Sequence, residues 1–270
     1  MSTEDTSQHP LTVAEALEIH AGHADGVLPT ADGAAVKRLY VELGGLLEAA
    51  VGDDLDAVPL LSYPEIAPVV SDLMEEVHGF VLDAGCGPYP TLSLLLGSRP
   101  DKTVVALDIG LGIVRLARAY AAKRGIRLIG VVADIEALPF RNNAFDGAAC
   151  EDTIEHVPDD ARAIRELARV MKSHGRVVLT TPNRIRLDVL SRRLKDRLRG
   201  RGRSAPSAYF AASTHLREYT WSQTERLIAP WFRVVVRAQV PWSGNSRARL
   251  ANWLVRLSPM RLLDRIVVLS

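Results

Sequence analysis

The 270-residue sequence predicts a doubly wound α/β domain starting near Phe80, with a helical extension before it. Three observations predict it. Short apolar runs alternate with helix-length segments from Phe80 onward. A glycine-rich turn, Gly85-Cys86-Gly87, follows the first run directly. Acidic residues, Asp83, Asp108 and Asp134, stand at the ends of the first three runs. Alternation of this kind means right-handed βαβ units around a parallel sheet.

The strand candidates are Phe80–Ala84, Thr103–Asp108, Arg127–Ala133, Phe145–Cys150 and Arg176–Thr181. Their near-continuous apolar character fits a sheet covered on both faces. Between them, Thr91–Leu96, Ile113–Lys123 and Ala161–Met171 read as helices, the last entered after Pro158. Upstream, residues 11–78 read as helices separated by Gly and Pro. Thr12 caps Val13–Ala21 with Glu15 three positions on, Ala34–Val51 carries apolar residues at helical spacing, and Glu65–Val77 is a third helix. Downstream, Trp221–Ala229 and Asn245–Leu257 read as helices, and Arg233–Val240 and Arg265–Ser270 as strands. The domain organisation expected is a helical extension over 1–78 and an α/β domain over 79–270, with a basic insertion at about 183–213.

Composition bounds the class. At 47% hydrophobic and 24% charged, the chain supports a sizeable core. Two cysteines, Cys86 and Cys150, give no disulfide framework and fit a reducing compartment. No basic start leads into a long apolar run, so no signal peptide is expected, and no stretch reaches the ~18 apolar residues of a spanning helix. A cytoplasmic protein follows. The net charge of +1 hides an asymmetry: residues 1–78 hold 15 acidic and 2 basic side chains, whereas residues 183–270 hold 5 and 18. Either the two ends offset one another, or the basic end meets an anionic surface.

The turn carries the chemistry. A strand tip, a glycine-rich turn and a helix start form the ligand crevice of an open α/β sheet. Gly85 and Gly87 fit the dinucleotide fingerprint, but Pro90 stands where its third glycine belongs, which argues against NAD. Asp83 suits a ligand bearing an ammonium group. Asp108, 23 positions past Gly85, suits two ribose hydroxyls, and Asp134 an adenine amine with Ile135 or Leu138 on the ring. Each acid taken singly reads equally as a helix N-cap. Three on successive strand tips favour the ligand.

These segments, VLDAGCGP, VVALDIG, VVADIEALPF, FDGAACEDTIEHVPD and ELARVMKSHGRVVLTTPN, resemble class I S-adenosylmethionine-dependent methyltransferases, in the branch acting on small molecules, lipids and sugars. The resemblance covers roughly Phe80–Phe232. It implies a Rossmann-like seven-stranded mixed sheet in the order 3-2-1-4-5-7-6 with strand 7 antiparallel. It implies S-adenosyl-L-methionine as cofactor, held by Asp83, Gly85, Cys86, Gly87, Asp108, Ile109, Asp134, Ile135 and Glu151. One departure stands out: Tyr89 occupies a position where the family usually carries a further glycine. Its ring either points away from the cofactor or narrows the site.

A methyl sulfonium is already activated, so the enzyme mainly aligns an in-line attack. A hydroxyl acceptor also needs a base. His156, in the segment the resemblance places at the methyl-transfer site, is one candidate; a packing role beneath the cofactor is its alternative. His215, in Thr214-His215-Leu216-Arg217-Glu218-Tyr219-Thr220, is the second, because that block looks like one some family members carry where substrate enters. Glu151 is the third. The His and Asp residues lack the sequence spacing of a zinc or iron site, so no metal is expected. Residues 184–203 hold nine Lys/Arg and two Asp with leucines interleaved, which reads as a lid helix or as a contact with anionic membrane. The leading expectation is O-methylation of a small-molecule, glycan or lipid hydroxyl. N- or C-methylation, RNA modification and a non-catalytic cofactor-binding module are the alternatives. Nucleic acid is disfavoured, because no aromatic platform interleaves with the basic residues.

Overall fold

The computed structural model describes residues 33–52, 55, 66–87, 90–184, 215–234, 236–240 and 265–269. The expected helices Val13–Ala21 and Asn245–Leu257, Tyr89 and most of the basic insertion lie outside them.

Five parallel strands form the sheet: β1 (Gly79–Ala84), β2 (Lys102–Asp108), β3 (Leu128–Val132), β4 (Phe145–Glu151) and β5 (Met171–Pro182), in the order 3-2-1-4-5. Reversal of strand order about β1 and β4 creates the crevice at their carboxyl ends. Six helices are described: α1 (Gly33–Val51), α2 (Ile66–Leu73), α3 (Thr91–Gly97), α4 (Leu111–Lys123), α5 (Asp160–Val170) and α6 (Trp221–Ile228). The backbone is also extended over Val236–Val240 and Arg265–Leu269. Among the described residues, no helix is long and apolar enough to cross a membrane.

Successive side chains of a strand point to opposite faces, and the core divides accordingly. Leu82, Leu107, Ala148, Cys150 and Leu179 meet Ile164 and Leu167 of α5 on one face. Val81, Val104, Ala149 and Val178 meet Val70, Met74, Leu92 and Leu96 on the other. On that second face α1 also enters the core, where Leu43, Leu47 and Val51 pack with Ile113, Leu116 and Tyr120 of α4. The approach of α1 to α4 depends on glycine. A Cβ added at Gly112 would stand 2.0 Å from the Gly44 carbonyl oxygen.

The elements agree with the expected ones to within a few residues, with one instructive difference. β5 begins at Met171, directly after α5, and not at Arg176. Its first residues pair irregularly with β4, the register shifting between Phe145 and Gly147. Lys172, Ser173 and His174 are exposed there, and Lys172 donates to Asp146 at 2.7 Å. Their polarity hides a strand from a search for apolar runs.

Candidate functional site

The turn after β1 is built for close approach. Gly85 and Gly87 adopt φ values of +83° and +62°, in the left-handed region that favours glycine. Gly85 and Cys86 donate their N–H groups to the Leu107 carbonyl at 2.8 and 2.9 Å, which fastens the turn to β2. The Thr153 hydroxyl lies 3.0–3.4 Å from the carbonyls of Ala84, Gly85 and Glu151, bridging the turn to the tip of β4. A Cβ at Gly85 would stand 2.5 Å from Thr153, whereas one at Gly87 would meet open space. The turn is thus sealed beneath and open above.

The three acids stand at three strand tips, in different settings. Asp83 is buried and accepts from Ser93 Oγ at 2.5 Å. Burial pushes its carboxyl up to about 6; the Ser93 bond opposes this, and nearby Asp108 adds to it. Asp108 accepts from the N–H groups of Gly87 at 3.1 Å and Gly110 at 2.9 Å. Burial raises its carboxyl too, against those backbone bonds. The Cys86 thiol between them is likewise raised, by burial first and then by Asp108 and Asp83. Asp134 caps the short turn Ile135–Ala137 through Glu136 N–H at 2.9 Å and also pairs with Lys37 Nζ at 2.6 Å. The N-cap reading of this residue therefore holds, with the Lys37 ammonium on its other carboxylate oxygen. Burial works against the Lys37 ammonium, but hydrogen bonds to Asp134 and Glu136 outweigh it and hold its pKa above the ordinary value. Ile109 is half-buried beyond Asp108, and Ile135 sits in the core.

The candidate bases converge from distant segments. Asp152, after Glu151 at the tip of β4, holds φ at +44°, an uncommon conformation for a non-glycine residue and a frequent mark of functional sites. The turn Ile154–His156 follows. Residues 215–219 are strapped across it. Leu216 N–H donates to the Glu155 carbonyl at 2.9 Å, and Arg217 donates to the Val157 and Pro158 carbonyls at 2.7 and 2.8 Å. The buried Tyr219 hydroxyl donates to Asp160 at 2.6 Å, and burial followed by that carboxylate raises its pKa. The strap brings the His215 ring to 4.8 Å from the His156 ring, edge to face. From α1, Tyr40 OH reaches His156 Nδ1 at 2.5 Å. Glu151 is half-buried at the tip of β4. Glu155 is fully buried and accepts from Thr181 Oγ1 at 3.0 Å.

The site residues predicted from sequence therefore lie along the carboxyl ends of β1–β4, with His215 carried there by the strap. Sequence reading missed Lys37, Tyr40, Thr153 and Glu155. A signal for the first two existed: Lys37, Tyr40 and Gly44 recur at helical spacing and share one face of α1. Three acids at strand tips beside an open glycine turn make a crevice whose residues fit a cofactor such as S-adenosylmethionine.

Residues 82–179 match the family model described as "Methyltransferase domain". A ubiquinone biosynthesis O-methyltransferase of Xanthomonas axonopodis pv. citri is 34% identical over 118 residues, 43% of this chain and 48% of that protein. A biotin biosynthesis bifunctional protein of Saccharophagus degradans is 30% identical over 129 residues, 47% of this chain and 22% of that protein. The chain thus spans about half or less of the length of these relatives. Among solved structures, a protein of Pyrococcus horikoshii OT3 superposes with a TM-score of 0.55 at 21% identity, over 78% of this chain and 92% of that one. A SAM-dependent methyltransferase of Methanosarcina mazei does so at 0.55 and 19%, over 75% and 95%. Residues 82–179 thus resemble a methyltransferase domain, and the sheet shares its fold with a solved SAM-dependent methyltransferase.

Proposed function

We propose that the protein transfers a methyl group from S-adenosylmethionine to a hydroxyl of a small molecule, with a glycan or lipid as the wider acceptor class. The observation that carries this reading is the His156–His215 pair, 4.8 Å apart and beside the cofactor-binding strand tips. The naming of several relatives as ubiquinone biosynthesis O-methyltransferases supports oxygen as the acceptor atom.

When bound, the cofactor supplies a methyl carbon made electrophilic by its sulfonium. Asp83 would hold the ammonium end, Asp108 the ribose hydroxyls and Asp134 the adenine amine, with Ile109 and Ile135 beside the ring. His215 or His156 takes the proton from the acceptor hydroxyl, and Glu151 helps orient the reactants. Tyr40 fixes the His156 ring by its bond to Nδ1, which leaves Nε2 for the acceptor side. General-base assistance of this kind is worth roughly 10²–10⁴-fold in rate.

The same reading extends the sheet to seven strands, β6 (Val236–Val240) and β7 (Arg265–Leu269) completing the order 3-2-1-4-5-7-6. The antiparallel registers Thr180↔Val267 and Ala238↔Val267 support this. It keeps residues 1–78 as an extension before the domain, and the basic segment 184–203 as a contact for anionic membrane. The charge asymmetry supports that contact.

Titration calorimetry with S-adenosylmethionine, with NAD as control, tests the cofactor. Methyl transfer to phenolic, sugar and lipid hydroxyls tests the acceptor. We expect binding of S-adenosylmethionine but not of NAD, and His215→Ala to lower turnover at least tenfold with cofactor affinity preserved. Equal turnover in the variant removes His215 from the base role.

A further inference from the structure

We propose that Glu155, His156 and His215 form a divalent-metal site at the edge of the acceptor pocket, taking a first-row ion of zinc-like or manganese-like chemistry. This rests on reading the pocket as the acceptor site. One ligand atom from each of the three side chains lies within 4.8 Å of the others. Two imidazoles and one carboxylate make a mixed nitrogen and oxygen donor set suited to such ions. Three protein ligands also leave a position open for substrate or water, the arrangement of catalytic zinc sites.

The surroundings favour a cation. Glu155 has no solvent exposure, and a buried carboxylate is stabilised by a positive charge beside it. His215 Nδ1 is buried and makes no hydrogen bond, with Glu218 Oε1 standing 3.5 Å away. His156 Nδ1 is held by the Tyr40 hydroxyl at 2.5 Å. An outer oxygen bonded behind the ring, as Tyr40 stands to His156, is the pattern that orients metal-binding imidazoles. The tetrahedral edge is about 3.4 Å for bonds of ~2.1 Å, so the rings turn inward on ion binding.

Such an ion binds the acceptor oxygen at its open position. With both imidazoles on the ion, it would replace the histidine base proposed above: the hydroxyl would lose its proton to solvent, and an oxygen lone pair would form the new O–CH₃ bond. The C–S bond breaks, its electron pair stays on sulfur, and the sulfonium becomes a neutral thioether.

Sequence spacing hides this site because Glu155 and His156 are 59 or more residues from His215. The test is a Co²⁺ titration of the chelator-treated full chain, followed by visible absorbance, in the wild type and in His215→Gln. The expected result is one ion per chain, a d–d band without thiolate charge transfer, and at least tenfold weaker binding in the variant. His215→Gln is the variant of choice because Glu155 is fully buried; a Glu155→Gln protein that stays folded should show the same loss. Equal Co²⁺ affinity in wild type and His215→Gln, or a thiolate band from Cys86 or Cys150, overturns the site. Calorimetry with S-adenosylmethionine on the same samples separates the two readings. Cofactor binding without Co²⁺ binding sinks the metal site alone, and Co²⁺ binding without cofactor binding sustains the metal site while the proposed activity falls.

Discussion

The hydroxyl of Tyr40 lies 2.5 Å from Nδ1 of His156, although 116 residues separate them in the chain. The contact joins helix α1 to the loop after β4, and with its neighbour Lys37–Asp134 it ties α1 to the carboxyl ends of β3 and β4. A helix outside the matched methyltransferase domain thereby reaches the candidate base.

Tyr40→Phe should keep the ring packing and remove the bond. A side-chain hydrogen bond of this kind contributes about 1 kcal/mol. Turnover should fall several-fold while the affinity for S-adenosylmethionine stays within twofold. The pH–rate profile should shift as well, because the His156 tautomer is no longer held. An unchanged profile would place Tyr40 in packing alone.

Asp108→Ala should weaken S-adenosylmethionine binding at least tenfold. The substitution removes the acceptor at the tip of β2 and also strands the N–H groups of Gly87 and Gly110, each now bonded to that carboxylate. Leaving a buried donor unsatisfied costs about 1–3 kcal/mol, so the melting temperature should drop too. Calorimetry with unchanged affinity would refute the cofactor placement.

Asp83 predicts a pH dependence. Its folded pKa of about 6 lies above the usual carboxylate value, mainly through burial. The folded state therefore holds more protons than the unfolded state between the two values. On this group's account, stability is highest below the unfolded value, falls as pH rises toward about 6, and is level beyond. Asp83→Asn should remove that slope in denaturant titrations run from acid to neutral pH. S-Adenosylmethionine, facing the ionised form through its ammonium, should bind more weakly below about pH 6 in the wild type.

Gly112→Ala should displace α1. The new methyl would meet the Gly44 carbonyl oxygen at 2.0 Å, and backbone cannot yield as a flexible side chain does. Overpacking of this kind typically costs about 1–3 kcal/mol. Because α1 carries Lys37 and Tyr40, turnover should fall together with the melting temperature. Wild-type stability would mean that the helix is free to move at this contact.

Much of this was legible in the chain before it folded. Strand–helix alternation from Phe80, the Gly85-Cys86-Gly87 turn and the three acids report local constraints: near-continuous burial of short strands, positive φ and polar atoms at strand tips. Local constraints write themselves into short stretches of sequence. The start of β5 at Met171 escaped because Lys172–His174 are polar and solvent-facing, so no apolar run marks them. What only the tertiary structure decided is which distant side chains meet. The sequence names His156 and His215 separately, but backbone bonds from Leu216 and Arg217 to residues 155–158 put the rings in contact. Likewise, nothing local to Lys37 or Tyr40 says that the Gly44–Gly112 approach will carry them to Asp134 and His156. Backbone conformation is dictated by neighbours along the chain, whereas a site is assembled by packing, and packing partners are chosen by the whole core.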